Sequence, residues 1–332
     1  MISICLRGAE MISSLTGKTV LAVVGPTASG KTALSIALAK KLSGEIVSCD
    51  SMQIYRGMNI GTAKPDAAEM DGIPHHIIDI CNPDVPFSCA DYIAAADAAV
   101  SDIINRRKLP IFCGGTGLYI DSFLQSRTFS PASANPEIRR SLQQEADAYG
   151  TEKLHERLKL LDPAAASAIH PNNRVRVIRA LEIYYATGKT KSQWDAESHA
   201  SPPGFDVCWI GLAFFDRSIL HDRIRRRVLL MMEHGFVDEV SALLRGGYLN
   251  EGSTAAQAIG YREIAAYLRG ELTREEAIEK IVISTRQYAK RQLTWFRRNP
   301  CIQWIYPDLA ENFDSVADKA LACFRKHQEA PF

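Results

Sequence analysis

The stretch GPTASGKT, residues 25–32, spells G-x-x-x-x-G-K-[ST]. In that pattern backbone N–H groups and a helix N-terminus surround anionic oxygens. Gly25, Pro26, Thr27, Ala28, Ser29 and Gly30 form the cradle, Lys31 adds a point charge, and the Thr32 hydroxyl can ligate Mg²⁺. A di- or triphosphate is the expected ligand. The loop alone leaves open what is done to it. Asp50 follows in SCDSMQIY. A carboxylate facing phosphates repels them unless it holds a metal or takes a proton from a nucleophile. A turn or helix cap is the other reading, because Asp is a preferred cap. Thr116 lies in GGTGLY. Glycines there admit close backbone approach, and a hydroxyl can donate to an oxygen that gains charge as a bond breaks. Capping the next helix is the alternative.

Two arginine-rich stretches complete the chemistry. In ILHDRIRRRV, Arg223 and Arg227 stand four apart beside a stripe of Leu220, Ile224, Val228 and Met231. From that flank they can reach a phosphate, although a solvated charge run has the same pattern. In TRQYAKRQLTWFRR, Gln287, Arg291, Thr294 and Arg298 form a polar, cationic stripe. Ile278, Ile281, Thr285, Tyr288, Gln292 and Phe296 make a more apolar one. Arginines interleaved with Tyr and Trp suit an RNA backbone with stacked bases, and a plain surface helix is the alternative. The pair His75-His76 has no third ligand at metal spacing and reads as structural.

These residues need elements that aim them at one place. Residues 18–24 read as a buried strand, 31–42 as a helix, 45–49 as a strand, 75–80 as a further possible strand, 90–106 as a helix and 109–113 as a buried strand. Alternation of this kind predicts an α/β fold with a parallel, doubly wound sheet, in which ligands bind beyond the carboxyl ends of the strands. The loops at 25–32, 50–53 and 114–116 would then converge on one crevice. Residues 127–135 and 198–206 are rich in Ser, Pro, Ala or Gly and read as linkers around helical residues 136–187. A strand at 207–214 and long helices near 218–245 and 273–299 follow. The expected organisation is a core of 17–123 plus 205–300, a helical insertion of 124–204, and a C-terminal extension of 301–332.

Bulk composition excludes more than it selects. Of 332 residues, 46% are hydrophobic and 23% charged, as in ordinary globular chains. The longest apolar run, 20–24, is too short to span a bilayer. The N-terminal segment lacks a sustained apolar core, so no secretory signal is expected, and Met11 is an alternative start. Eight cysteines form no C-x-x-C pair, which argues against zinc and disulfide frameworks. Net charge is +1 overall, but residues 213–300 carry 15 Lys/Arg against 11 Asp/Glu, mostly as arginine, which suits bidentate contact with phosphate. A cytoplasmic protein with one basic face is expected.

Taken together, GPTASGKT, DSMQIYRGMNIGTAKP (50–65), PHH (74–76), GGTGLY (114–119), HPNN and RALE in the insertion, QAIGYRE (257–263) and TRQYAKRQLTWFR (285–297) resemble the tRNA dimethylallyltransferase family over about residues 18–300. The resemblance implies a P-loop NTPase-like parallel sheet flanked by helices, with the helical insertion gripping the tRNA anticodon stem-loop. It implies transfer of a dimethylallyl group from its diphosphate to N6 of the adenosine 3′ of the anticodon, in tRNAs reading codons that begin with U. The cradle would hold dimethylallyl diphosphate, with Mg²⁺ at Thr32 and Arg223 and Arg227 on the diphosphate. Asp50 would take the N6 proton and Thr116 would contact the bridging oxygen. Ser51, Met52, Gln53, Arg139, Val175, Arg176, Arg179, Gln257, Gly260, Tyr261, Arg262, Arg286, Gln287, Arg291 and Arg298, with Asp50 and Thr116, would face tRNA. A monomer is expected. The chain departs from the family at 172–176, where NNRVR stands in place of a more polar run, so that apolar Val175 occupies an RNA-contact position. A prenyltransferase acting on free AMP and a small-nucleotide kinase are the alternatives.

Overall fold

The structure is a computed structural model and describes residues 18–125, 135–199, 204–250 and 252–329. Residues 1–16 with Met11, most of the expected linker at 127–135 and residues 200–203 of the one at 198–206 lie outside these residues. The chain divides into two compact units, Met1–Leu124 with Gly204–Phe332, and Gln125–Pro203.

The first unit is built on six parallel strands: β1 (Lys18–Val24), β2 (Gly44–Cys49), β3 (His75–His76), β4 (Leu109–Gly114), β5 (Phe205–Leu212) and β6 (Gln303–Ile305). Their order is β3-β2-β4-β1-β5-β6, the sheet of a P-loop NTPase-like fold. Strand β1 shows why this sequence makes a central strand. Val20, Ala22 and Val24 enter one core cluster, and Leu21 and Val23 enter the cluster on the opposite face. All five are fully buried, so each larger side chain contributes roughly 1.5–3 kcal/mol of apolar burial. A strand apolar on both faces is stable only between two layers of helices.

In this unit the helices are α1 (Lys31–Leu42), α2 (Ala67–Met70), α3 (Cys89–Asn105) and α4 (Gly117–Leu124) before the excursion into the second unit. The second unit holds α5 (Pro136–Tyr149), α6 (Thr151–Leu161), α7 (Pro163–Ala168), α8 (Arg174–Thr187) and α9 (Lys191–His199). Leu142, Leu154, Leu158, Val177 and Leu181 form its own small core. The chain then returns to the first unit as α10 (Arg217–Glu233), α11 (Phe236–Arg245), α12 (Tyr261–Leu268), α13 (Arg274–Phe296) and α14 (Phe313–Glu329).

Several expectations are corrected. The strand at 75–80 ends at His76, because Ile77 and Asp79 adopt positive φ and the chain wraps over residues 53–55 instead, with the Asp79 and Ile80 amides donating to the Gln53 and Ile54 carbonyls. The helix at 218–245 is two helices, broken at Gly235 with φ 93°. Its buried stripe closes on Met232, and Met231 is only partly buried. Helices α9 and α12 were not foreseen. Residues 301–332 are no extension: β6 pairs with β5, and Val316, Ala320 and Phe324 of α14 cover one face of the sheet with α1.

Candidate active site

Register places the three chemical loops together. Val24 of β1 and Cys49 of β2 both lie opposite Gly114 of β4, so all three strands end on one line. The cradle, the Asp50 turn and the Gly115-Thr116 turn leave from that line side by side. They border a cavity of about 850 Å³ whose walls also include apolar Ile224, Met231, Phe236 and Ile281.

The cradle turns sharply at Gly25, φ 141°, where a Cβ would strike the Leu212 carbonyl of β5. Lys31 opens α1, and its Nζ donates to the Pro26 carbonyl at 2.6 Å. Two cations arrive from α10. Arg227 donates to Thr27 Oγ1 and to the Thr62 carbonyl, each at 3.3 Å. Arg223 donates to the Ala28 carbonyl at 2.8 Å, and its guanidinium lies 5.6 Å from the Phe214 ring. Among the described residues none of the three forms a salt bridge. Burial lowers Lys31 to about 8, nearby Arg227 pushes the same way, and Cys113 and Asp50 oppose it. Burial also lowers Arg227, with Arg223 adding to the effect. Asp50 and Glu69 oppose that shift without forming an ion pair, and concentrated, desolvated positive charge costs free energy that an anion relieves. The Ser29 hydroxyl is buried on the same wall with no hydrogen-bond partner among the described residues, a donor that a phosphate oxygen would satisfy.

Asp50 combines both readings of its sequence. Its Oδ1 accepts from the Met52 and Gln53 amides at 2.8 and 3.3 Å, which makes it a turn cap. Its Oδ2 accepts no hydrogen bond among the described residues, and the side chain lines the cavity. Thr116 Oγ1 accepts from the Ser51 amide at 3.2 Å and donates to Ser51 Oγ at a long 3.4 Å. That second contact is weak enough to exchange for another acceptor. Thr32 also lines the cavity. Among the described residues no group of three or more His, Cys, Asp and Glu side chains is arranged to hold a metal. A lone hydroxyl beside an anion cradle fits an Mg²⁺ carried largely by a ligand's phosphate oxygens and water, which is how that ion is commonly bound.

The residues expected to face tRNA separate into groups. Ser51 and Met52 are partly buried on the cavity wall. The Gln53 amide is spent on the Thr62 and Ala63 carbonyls and on Ser48. Gln257 is exposed at the cavity edge. Tyr261 lies on the cavity wall, buried edge-on against Phe236, and its hydroxyl donates to Glu239 at 2.6 Å. Gly260 is buried with it, and Arg262 turns to Glu263. Gln287 and Arg291 on α13 and Arg298 just past its end are exposed, with Arg291 over Tyr288 and Arg298 over Trp295. Arg286 is partly buried, and its Nε has no partner among the described residues. In the second unit, Val175 is 79% exposed and Arg176 is also exposed. Arg139 and Arg179 instead bind the fully buried Glu182 at 2.8 and 2.9 Å. Burial pushes Glu182 up, but the two guanidiniums hold it below the usual carboxylate range.

Two features escaped the sequence. Glu239 of α11 accepts from the amides of Asn59, Ile60 and Gly61, tying that loop to the helical layer. Gln292, placed with the apolar stripe of α13, is buried and bridges the cradle and the Gly115 turn. A glutamine on an apolar stripe is the signal, because a buried amide must find partners.

A family model described as IPP transferase matches residues 53–299. A tRNA dimethylallyltransferase from a Thermoanaerobacter species is 48% identical over 298 residues, covering 90% of this chain and 94% of the relative. The solved structure of a full-length tRNA isopentenylpyrophosphate transferase from Bacillus halodurans is 43% identical, with a TM-score of 0.70 over 95% of this chain and 98% of that one. A eukaryotic dimethylallyltransferase solved acting on tRNA is 30% identical, with a TM-score of 0.81 over 95% and 81%.

Proposed function

The chain belongs to the tRNA dimethylallyltransferase family, and from that premise we propose that it transfers a dimethylallyl group from dimethylallyl diphosphate to N6 of the adenosine 3′ of the anticodon. The observation that carries the reading is the juxtaposition of three cations that form no salt bridge among the described residues, around a phosphate cradle, with the open Oδ2 of Asp50. A kinase delivers phosphorus to its acceptor. Here the cradle is read as holding a leaving group.

The N6 lone pair attacks C1 of the dimethylallyl group. The C1–O bond breaks, and its electron pair leaves on the bridging oxygen of diphosphate. The N6 proton passes to Asp50 Oδ2. An exocyclic amine is a poor nucleophile, but its N–H acidifies as the carbon–nitrogen bond forms, so a carboxylate suffices as base. The Met52 and Gln53 amides hold Asp50 in place. Thr116 gives up its weak contact with Ser51 to donate to the bridging oxygen. Lys31, Arg223 and Arg227 neutralise the departing charge, the kind of preorganised stabilisation that commonly dominates an enzyme's rate gain. Bound at Thr32, Mg²⁺ would add further neutralisation of the diphosphate. The adenine must leave its stack to reach this cavity. Arg286, Arg291 and Arg298 are read as lining the RNA side, and the helical unit as holding the anticodon stem, with Arg176 more available to it than Arg139 or Arg179. We place the enzyme in the cytoplasm as a monomer. Among the described residues no helix is long and apolar enough to cross a membrane.

Purified protein incubated with dimethylallyl diphosphate, Mg²⁺ and unmodified tRNA is expected to yield N6-dimethylallyladenosine by mass spectrometry. Absence of product beside an active control enzyme, or equal activity on free AMP, overturns the reading. Asp50→Ala is expected to lower turnover by roughly 10²–10⁴-fold while leaving tRNA affinity nearly intact. Equal losses in both would remove the base role.

A further inference from the structure

Helix α13 turns one stripe of side chains, Tyr288, Gln292 and Trp295, toward the turn that follows β4. Residues spaced by four and three share a helix face, so the three act on neighbouring points of that turn. Tyr288 lines the cavity together with Gln292. Trp295 Nε1 donates to Asp121 Oδ2 at 2.8 Å, and a Cβ on Gly117 would strike its indole. Between them sits Gln292, only 5% exposed. Its Oε1 accepts from the Thr27 amide at 2.8 Å, and its Nε2 donates to the Gly115 carbonyl at 3.0 Å. One planar amide therefore spans two loops. Thr27 belongs to the cradle that grips the diphosphate. Gly115 precedes Thr116. A Cβ on Gly115 would overlap the Gln292 amide nitrogen, so the turn is built against this side chain with no slack.

We propose that Gln292 is a positioning residue for the transfer reaction: its amide sets the separation between the diphosphate cradle and the Thr116 turn, and so the alignment of the leaving oxygen with the attacked carbon. The proposal rests on the prenyl-transfer reading. The rigidity of the side-chain amide makes it suited to the task, since its two bonds diverge from one plane and neither loop can shift without stretching one of them. The strut's amide is spent on main-chain groups of the two loops. It acts through Thr27 and Gly115, whose main-chain groups it holds. Small misplacement of reacting groups is costly, because the geometric alignment of a near-attack arrangement supplies much of the rate. The amide also completes the hydrogen bonding of one buried and one partly buried main-chain group, which a methionine of similar length would leave unpaired.

The test compares wild type, Gln292→Met and Gln292→Glu. Single-turnover prenylation is measured with both substrates saturating, inorganic diphosphate affinity by calorimetry, and tRNA affinity by filter binding. Gln292→Met is expected to cut the single-turnover rate by about 100-fold, the scale reached by a 1 Å misplacement. Both affinities should stay within about twofold of wild type, as for sites that do not share the contact. Gln292→Glu keeps the acceptor for Thr27 and loses the donor to Gly115, so it is also expected to slow the chemical step, which keeps the idea testable if the methionine variant fails to fold. Adding Gly115→Ala to Gln292→Met should cost little beyond the worse single change, because both break one contact. A rate near wild type in the folded variants overturns the proposal. So does a rate loss matched by an equal loss of diphosphate or tRNA affinity, which would make the residue a binding or purely structural one. Inactive wild type would instead overturn the prenyl-transfer reading itself.

Discussion

Two groups of arginines in this molecule have opposite fates. In the core, Arg223 and Arg227 join Lys31 around the phosphate cradle, and each donates to a carbonyl or a hydroxyl. In the helical unit, Arg139 and Arg179 close on buried Glu182, Arg157 on Glu145, and Arg174 on Asp147. The side chains are alike. What differs is the partner. A guanidinium facing a carboxylate is neutralised and becomes part of the fold, whereas desolvated cations facing one another make the ligand-free fold slightly worse and an anion's arrival correspondingly better. Pairing, rather than residue type, separates a scaffold cation from a site cation.

The contrast can be broken from either side. Glu182→Ala removes the buried carboxylate that Arg139, Arg179 and the Asn135 amide share and is expected to destabilise the helical unit by about 1–3 kcal/mol. Chemical denaturation followed in that unit checks it, and diphosphate binding by the core should be unchanged. Unchanged stability would mean that the helical arginines are no more structural than those of the cradle. Arg227→Met reverses the pattern: the melting temperature should hold or rise, while diphosphate affinity falls by about 10–100-fold, the value of one or two charge-assisted hydrogen bonds. A lower melting temperature with affinity intact would erase the distinction.

The smallest effect is set by pH. Lys31 is held at about 8 against an ordinary 10.5. Between those values the folded, ligand-free protein binds fewer protons than the unfolded chain, so this group's contribution to stability rises with pH through that window. Diphosphate binding has the opposite sense, because it needs the ammonium. From pH 7 to 9 its affinity is expected to weaken by roughly tenfold. Calorimetry at fixed ionic strength checks this, and a flat profile would mean that Lys31 stays charged throughout.

Much of the site was legible in short segments. The cradle, the Asp50 turn and the Gly115-Thr116 turn are each local motifs, and alternation of strand and helix placed them at one edge of a sheet. Arg223 and Arg227 were legible because i,i+4 spacing shows which flank of a helix they share. Other features were not. Tyr261 sits in a polar motif, yet packing against Phe236 and Glu239 buries it. Residues 301–332 look like a tail because three-residue β6 is too short to announce itself, and only pairing with β5 makes it a strand. Gly235 ended a helix that periodicity alone would have continued.

By itself the sequence determined the phosphate cradle, the order of the loops around it and the fold class, because a Gly-rich turn before a helix and a doubly apolar strand have few other conformations open to them. Tertiary structure decided which cations stay free for a ligand, and that Gln292 rather than a loop residue joins Thr27 to Gly115. Those two residues stand 265 and 177 positions from it in the chain. Partners so distant are chosen by packing, which no local spacing encodes.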